Sequence, residues 1–233
     1  MKSKITLAVI PCRGGSKRLP RKNIRLLNGK PLIGYTIDAA MASCNLTHHI
    51  VSSEDTEIIE VAKKLGGNVP FKRPVDISGD NIRNTDTMLH AAEYFISQFG
   101  YNPDAVVLLQ PTSPFRRSID IDNAIEKFYA SDANTCVSVT GPHKKRDVVL
   151  KRMDMASGRL LDYRENDDNP GYYKYNAAIY VVNFDYLKKF RSFTSKNETS
   201  YIMEEINSID IDTELDFVMA EAIIKKYKET IYE

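Results

Sequence analysis

Nothing in these 233 residues supports a membrane span, a disulfide framework or a zinc cluster. Apolar runs are short, such as Ala-Ala-Ile-Tyr-Val-Val at 177–182, where a spanning helix needs roughly 20 residues. Cys12, Cys44 and Cys136 are an odd count with no CxxC or Cys/His spacing, which points to a reducing compartment. Charge of one sign is also missing. Lys+Arg 32 against Asp+Glu 31 leaves +1, excluding a uniformly basic nucleic-acid-coating protein and an acidic tail. The N-terminus turns polar directly after Ile10, too soon for a secretory signal. Neither Gly-x4-Gly-Lys-Ser/Thr nor Gly-x-Gly-x-x-Gly occurs, so kinase-like and dinucleotide readings lose ground. With 42% apolar and 27% charged residues, the expectation is a cytoplasmic α/β protein of one domain, residues 1–233, without membrane or nucleic-acid partners.

The first half alternates short apolar runs with helical spacing. Strands are expected at 5–10, 49–53, 105–109 and 135–139, and helices at 31–43, 56–65, 85–99 and 121–129. Gly66 and Gly100 stand where helices should stop. In the 85–99 helix, Met88, Leu89, Ala92, Phe95, Ile96 and Phe99 form the inward face. Strand–helix–strand repetition implies a doubly wound, mostly parallel sheet. The rhythm breaks near residue 140. An excursion at about 141–174, with a hairpin turn at Ser157-Gly158, reads as a small inserted dimerisation arm or lid. A strand at 175–183 and a last helix capped by Asp212 or Thr213 complete the chain. The His48-His49 pair, at a strand start without metal spacing, reads as surface.

Between the first strand and helix lies Arg13-Gly-Gly-Ser-Lys-Arg-Leu-Pro-Arg-Lys-Asn23, with five cations and no acid. In an open α/β sheet this loop falls beyond the carboxyl ends of the strands, where ligands bind. Gly14 and Gly15 let backbone N–H groups approach an anion, and the cations neutralise it. A polyphosphate is the expected guest, and a solvated basic turn or an RNA-binding patch is the alternative. Near the other end, Ile209-Asp-Ile-Asp-Thr alternates apolar and acidic residues. Extended chain puts Asp210 and Asp212 on one face, two hard oxygen donors suited to Mg²⁺. Asp212 is expected to cap the last helix as well. Gln110 ends the 105–109 strand and projects into the same region, held by the rigid turn of Pro111 and Pro114.

The basic loop resembles the signature of the acylneuraminate cytidylyltransferases, the CMP-sialic and nonulosonic acid synthetases. So do Arg73-Pro74, Leu109-Gln-Pro-Thr-Ser-Pro-Phe-Arg116, Tyr175-Asn-Ala-Ala-Ile-Tyr180 and Ser208-Ile-Asp-Ile-Asp-Thr-Glu-Leu-Asp216, in the family's order across nearly the whole chain. The sequence departs from the family at Arg18, often glycine, at Cys12, often alanine, and through 164–174. The resemblance implies a Rossmann-like nucleotidyltransferase fold, a homodimer, and transfer of CMP from CTP to the anomeric hydroxyl of an acid sugar. By the same resemblance Arg13, Gly14, Gly15, Ser16, Lys17, Asn23 and Arg73 hold the nucleotide. Gln110, Arg164, Asn176, Tyr180 and Phe193 face the sugar, Asp210 and Asp212 hold Mg²⁺, and Lys17, Arg13 and Asp212 are the catalytic set. Alternatives are an octulosonic acid cytidylyltransferase or another sugar nucleotidyltransferase. A non-catalytic nucleotide- or RNA-binding module gives no reason to aim two carboxylates at phosphates.

Overall fold

The computed structural model describes residues 4–79, 81–143, 151–153, 160–162 and 172–232. Strand β1 (Thr6–Pro11) leads through the basic loop and a short antiparallel pair, β2 (Leu26–Leu27) with β3 (Lys30–Pro31), into helix α1 (Leu32–Ala42). Then follow β4 (His48–Ser52), α2 (Thr56–Lys64), α3 (Asn84–Phe99), β5 (Ala105–Leu109), α4 (Ser118–Tyr129) and β6 (Thr135–His143). The chain continues with β7 (Lys151–Met153), β8 (Leu160–Asp162), β9 (Tyr172–Asn183), α5 (Phe184–Phe190), β10 (Glu198–Ile202) and α6 (Glu214–Tyr232). Gly66 and Gly100 take the left-handed conformation (φ 83° and 75°) where α2 and α3 end, as glycine without a Cβ does readily.

The main sheet runs β10-β6-β9-β5-β1-β4. The pairs β1–β4, β1–β5 and β10–β6 are parallel, while β9 runs antiparallel to both β5 and β6. That single reversal is where the alternating rhythm fails in the sequence. Between β6 and β9 the chain forms β7 and β8, an antiparallel pair, and β9 comes back antiparallel beside β6. The β7–β8 pairing agrees with the expected hairpin, whose turn Ser157-Gly158 lies outside the described residues.

Each face of the sheet has its own core, because alternate residues of a strand point oppositely. Ala8 and Ile10 of β1 join Ile33 and Ile37 of α1, Ile58 of α2 and Ile125 of α4. Leu7 and Val9 join Met88 and Phe95 of α3 and Leu187 of α5. A third cluster sets Leu19 of the basic loop against Ile211, Phe217 and Ile224. Burying such side chains contributes roughly 1.5–3 kcal/mol each, which fixes the 209–212 segment beside the loop. Two local expectations change. Phe99 is 49% exposed, since it sits on the last turn of α3, where it stacks on Phe95 and His48. His48 is half-buried rather than at the surface, edge-on to Phe95, and burial lowers its pKa.

Candidate active site

The carboxyl ends of β1 and β5 open into a cleft of about 510 Å³. The loop after β1 supplies Arg13, Ser16, Lys17, Arg18, Lys22 and Asn23 to its wall. The segment 73–87 supplies Arg73, Asn84 and Thr87, and the turn after β5 supplies Gln110 and Thr112. Asp212 joins the lining beside Lys22. Five cations thus face one carboxylate on the lining, although the whole chain is nearly neutral. Such a wall focuses a positive potential into a concave site of the size that takes a nucleotide.

The loop is fastened from below. Asn23 is buried and its Nδ2 donates to the Arg13 carbonyl at 2.9 Å. Gly14 N–H donates to Glu54 Oε1 at 2.7 Å, so it is spent on the scaffold, contrary to the expectation that both glycine amides face an anion. Space, not donor supply, explains this glycine: a Cβ would stand 2.5 Å from Asp55 Oδ2. Asp55 cannot easily yield, because it caps α2 through Ile58 N at 3.0 Å and holds Arg21 at 2.6 Å. Arg21, by hydrogen bond first, keeps the Asp55 carboxyl below the usual range. At Gly15 an added Cβ meets nothing within 4 Å. Gly14→Ala is therefore expected to cost roughly 1–3 kcal/mol of stability and Gly15→Ala no more than about 0.5 kcal/mol. Thermal or denaturant unfolding of the two variants checks the contrast, and equal losses would remove the packing explanation.

Arg73, 4% exposed, lies against the same floor. Its guanidinium donates to Glu54 Oε2 (2.6 Å), Ser78 Oγ (3.1 Å) and Thr87 Oγ1 (3.3 Å). The turn after β5 is held by Arg116, a fully buried cation that donates to the Gln110 and Ala178 carbonyls at 3.1 and 2.8 Å. Burial brings its pKa down to about 9, with Asp120 opposing. The structure thereby explains the end of the Gln-Pro-Thr-Ser-Pro-Phe-Arg stretch: Arg116 clamps the turn that presents Gln110 and Thr112 to the cleft.

On the acidic side, Ile211 N–H donates to the Thr112 carbonyl at 2.8 Å. The alternation holds: Ile209 and Ile211 pack toward α6, leaving the two aspartates the other way. Of the two expected caps, Thr213 serves and Asp212 does not. Thr213 Oγ1 accepts from Asp216 N at 3.3 Å, and Asp216 Oδ2 accepts from Asp212 N and Thr213 N. This reciprocal cap leaves the Asp212 carboxylate to Lys22 Nζ at 2.9 Å and, more loosely, to Arg18 at 3.4 Å. Asp210 has a buried Oδ1 without a hydrogen-bond partner. Burial first, then neighbouring Asp212 and Asp216, push its carboxyl above the ordinary value, opposed by Thr112 and Lys22. A buried acceptor left unpaired is costly, and a hard cation beside two carboxylates removes that cost, so the donor set fits Mg²⁺.

The sugar-side expectations divide. Gln110 borders the cleft. Phe193 lines an adjoining cavity of about 320 Å³ with Arg83, Thr85 and Arg191, and Asn84 borders both spaces. Tyr180 is buried edge-on to Phe193 at 4.8 Å, its hydroxyl pushed up by burial and next by the Asp210 carboxylate. Asn176 does not reach the cleft wall. Its Oδ1 accepts from Ser138 Oγ and Ala178 N, and its Nδ2 donates to Ser208 Oγ at 2.8 Å. These bonds pin an irregularity in the β6–β9 pairing, where Ala177 takes a left-handed φ of 61°, and they tie it to the segment entering Asp210. Arg164 lies outside the described residues. Glu54 and Asp55 carried no expected role, and Lys22 was expected only as one of the loop's cations, not as the partner of Asp212. The missed signal was position, since Glu54 and Asp55 follow β4 directly, at the sheet's carboxyl edge.

Comparison with known proteins agrees with this geometry. The cytidylyltransferase family matches residues 7–231. The chain is 35% identical over 235 residues to CMP-N,N'-diacetyllegionaminic acid synthase of Legionella pneumophila, spanning 97% of this chain and 98% of that protein. It is 32% identical over 230 residues to an N-acylneuraminate cytidylyltransferase of Escherichia coli, spanning 97% of this chain and 53% of that longer protein. In fold it is similar to CMP:2-keto-3-deoxy-manno-octonic acid synthetase complexed with CTP. The TM-score is 0.74 at 17% identity, over 96% of this chain and 99% of that one. A basic glycine loop at the head of a mostly parallel sheet, matched from end to end, makes this chain a member of the cytidylyltransferase family of nucleotidyltransferases.

Proposed function

We propose that this protein transfers CMP from CTP to the anomeric hydroxyl of a nonulosonic acid, releasing diphosphate. The observation that carries the reading is the cleft itself, whose lining brings five cations together with one carboxylate, Asp212, and Asp210 stands two residues before it in the same extended segment. The similarity to synthases named for legionaminic and N-acylneuraminic acids supports the acceptor class.

The anomeric hydroxyl attacks the α-phosphorus in line while diphosphate leaves. Such a reaction depends mostly on positioning and charge neutralisation. Arg13, Ser16 and Lys17 hold the triphosphate, Asn23 and Arg73 meet the ribose and cytosine end, and Gln110 with the Tyr180–Phe193 wall orients the acceptor. Asp210 and Asp212 would hold Mg²⁺, which when bound neutralises charge on the phosphate oxygens and the departing diphosphate. Lys22, on Asp212 at 2.9 Å, keeps a cation beside that carboxylate. The finer expectations, a cytoplasmic homodimer acting without nucleic acid, belong to the same reading. Exposed Leu215, Val218 and Met219 on α6 are apolar surface available to a second copy.

Diphosphate release, followed with CTP, ATP, GTP and UTP against a panel of acid sugars in Mg²⁺, tests it. Strict use of CTP is expected, because polar groups left unpaired at a mismatched base edge cost far more than a misfit acyl group. An apolar pocket separates small substituents by only roughly 1–3 kcal/mol. The acceptor range should therefore differ from that of plain N-acetylneuraminate enzymes, following the departure at 164–174. Equal use of UTP and CTP would overturn the nucleotide assignment. No release with any acid sugar, alongside tight RNA binding, would favour a binding module.

A further inference from the structure

We propose that Glu54 is a positioning residue for the nucleotide: its carboxylate ties the glycine loop to the Arg73 wall and presets the width of the cleft. The inference rests on the reading of that cleft as a nucleotide site.

Glu54 sits on the loop between β4 and α2, with its side chain 19% exposed. One oxygen accepts the Gly14 N–H at 2.7 Å and the other accepts Arg73 Nη2 at 2.6 Å. Gly14 lies in the loop between the lining residues Arg13 and Ser16, and Arg73 belongs to the segment that carries Thr87 and Asn84 to the cleft. The loop's other fastenings lead elsewhere, and Lys22 ties it to Ile211 and Asp212. Asn23 holds Arg13 from within the loop itself, and Asp55 reaches Arg21 near the surface. Glu54 accepts from the loop backbone and from the Arg73 guanidinium at once, and the direct link from Arg73 to the Cys12 carbonyl is longer, at 3.5 Å.

The chemistry of the bridge is demanding. Arg73 is 4% exposed, and a buried guanidinium deprived of its carboxylate is an uncompensated charge. It must then move, and Ser78 and Thr87, which it holds through Nε and Nη1, lose their partner. On the other side, a released Gly14 amide frees the loop to sample conformations that nucleotide binding must select from, which lowers apparent affinity. Glu54 needs no contact with the nucleotide to do this. Its loss should weaken CTP binding and leave the chemical step nearly intact once the site is filled.

The test is calorimetric titration of CTP, with Mg²⁺ present, into the wild type and Glu54→Gln, together with steady-state kinetics. The glutamine oxygen can still accept from Gly14, but its amide N–H groups meet the guanidinium donor against donor. The expected result is a rise of about tenfold or more in the Kd and KM for CTP, the scale of a lost charge-assisted hydrogen bond. The kcat should stay within about twofold and the acceptor KM should not move. A merely structural role would lower the folded fraction without moving KM. Unchanged CTP affinity in folded Glu54→Gln overturns the proposal, as does a fall in kcat at constant KM. Should the variant fail to fold, hydrogen exchange of the wild type without nucleotide decides. A protected Gly14 amide supports the tie, and exchange at an open-loop rate overturns it. A wild type that binds no CTP overturns the nucleotide reading itself, a result the first titration separates from failure of the Glu54 role.

Discussion

Asp210→Asn is expected to lower kcat by roughly a thousandfold or more while leaving the fold as stable as the wild type, or more so. The rate loss follows from the several kcal/mol that a cation held beside transferring phosphates contributes. The stability follows from the carboxylate's surroundings. Its Oδ1 is buried without a partner, and burial with the nearby Asp212 and Asp216 charges already disfavours ionisation. A neutral amide of the same shape relieves that penalty but makes a poor ligand for a hard cation. A carboxylate kept in so unfavourable a state is the mark of a residue serving function rather than folding. Asp212→Asn is expected to lose as much rate and to leave Lys22 without its counter-charge, although the amide oxygen can still accept from Lys22 and the Ile211 carbonyl stays at 2.8 Å. A chelator should silence the wild type and added Mg²⁺ restore it. Full turnover in chelator would refute the metal assignment. Lost activity with a collapsed melting temperature would make Asp210 a structural residue instead.

The second large effect is expected at Lys17. Removing its ammonium takes a cation from beside the developing anion in a partly dry cleft, a loss of at least about 2–3 kcal/mol in transition-state stabilisation, or roughly a hundredfold in kcat/KM. Arg18→Ala should cost far less. Arg18 also borders the cleft, yet its side chain is 74% exposed and meets Asp212 only at 3.4 Å, a geometry worth no more than about 1 kcal/mol. Parallel kinetics on the two variants read the difference directly. If Arg18→Ala proved the more damaging, the roles within the loop would have to be exchanged.

Much of this was legible in one dimension because the signals are local. β5 and the ends of α2 and α3 follow from apolar runs and stopping glycines, and the Asp210/Asp212 pair from strict alternation in an extended segment. The basic loop was legible because five cations in eleven residues stand out against near-zero net charge. Less visible were groups whose roles depend on distant partners. Glu54 lies 40 residues from Gly14, and Lys22 lies 190 from Asp212. Asn176 shows the converse. Its place in a recognisable stretch suggested a sugar contact, yet Ser138 and Ser208 from other segments claim its amide.

The sequence by itself therefore determined the fold class, the cationic character of the loop after the first strand, and the alternation of Asp210 and Asp212 with the two packed isoleucines. Periodicity and charge density act over a few residues and need no knowledge of where the chain returns. Only the tertiary structure decided that β9 enters the sheet reversed, that Thr213 and not Asp212 caps the last helix, and that Gly14 serves close packing against Asp55. Each of those outcomes is a competition for a hydrogen-bond partner or for a few cubic ångströms between segments far apart in sequence. Such competitions are settled only when packing brings the contenders together.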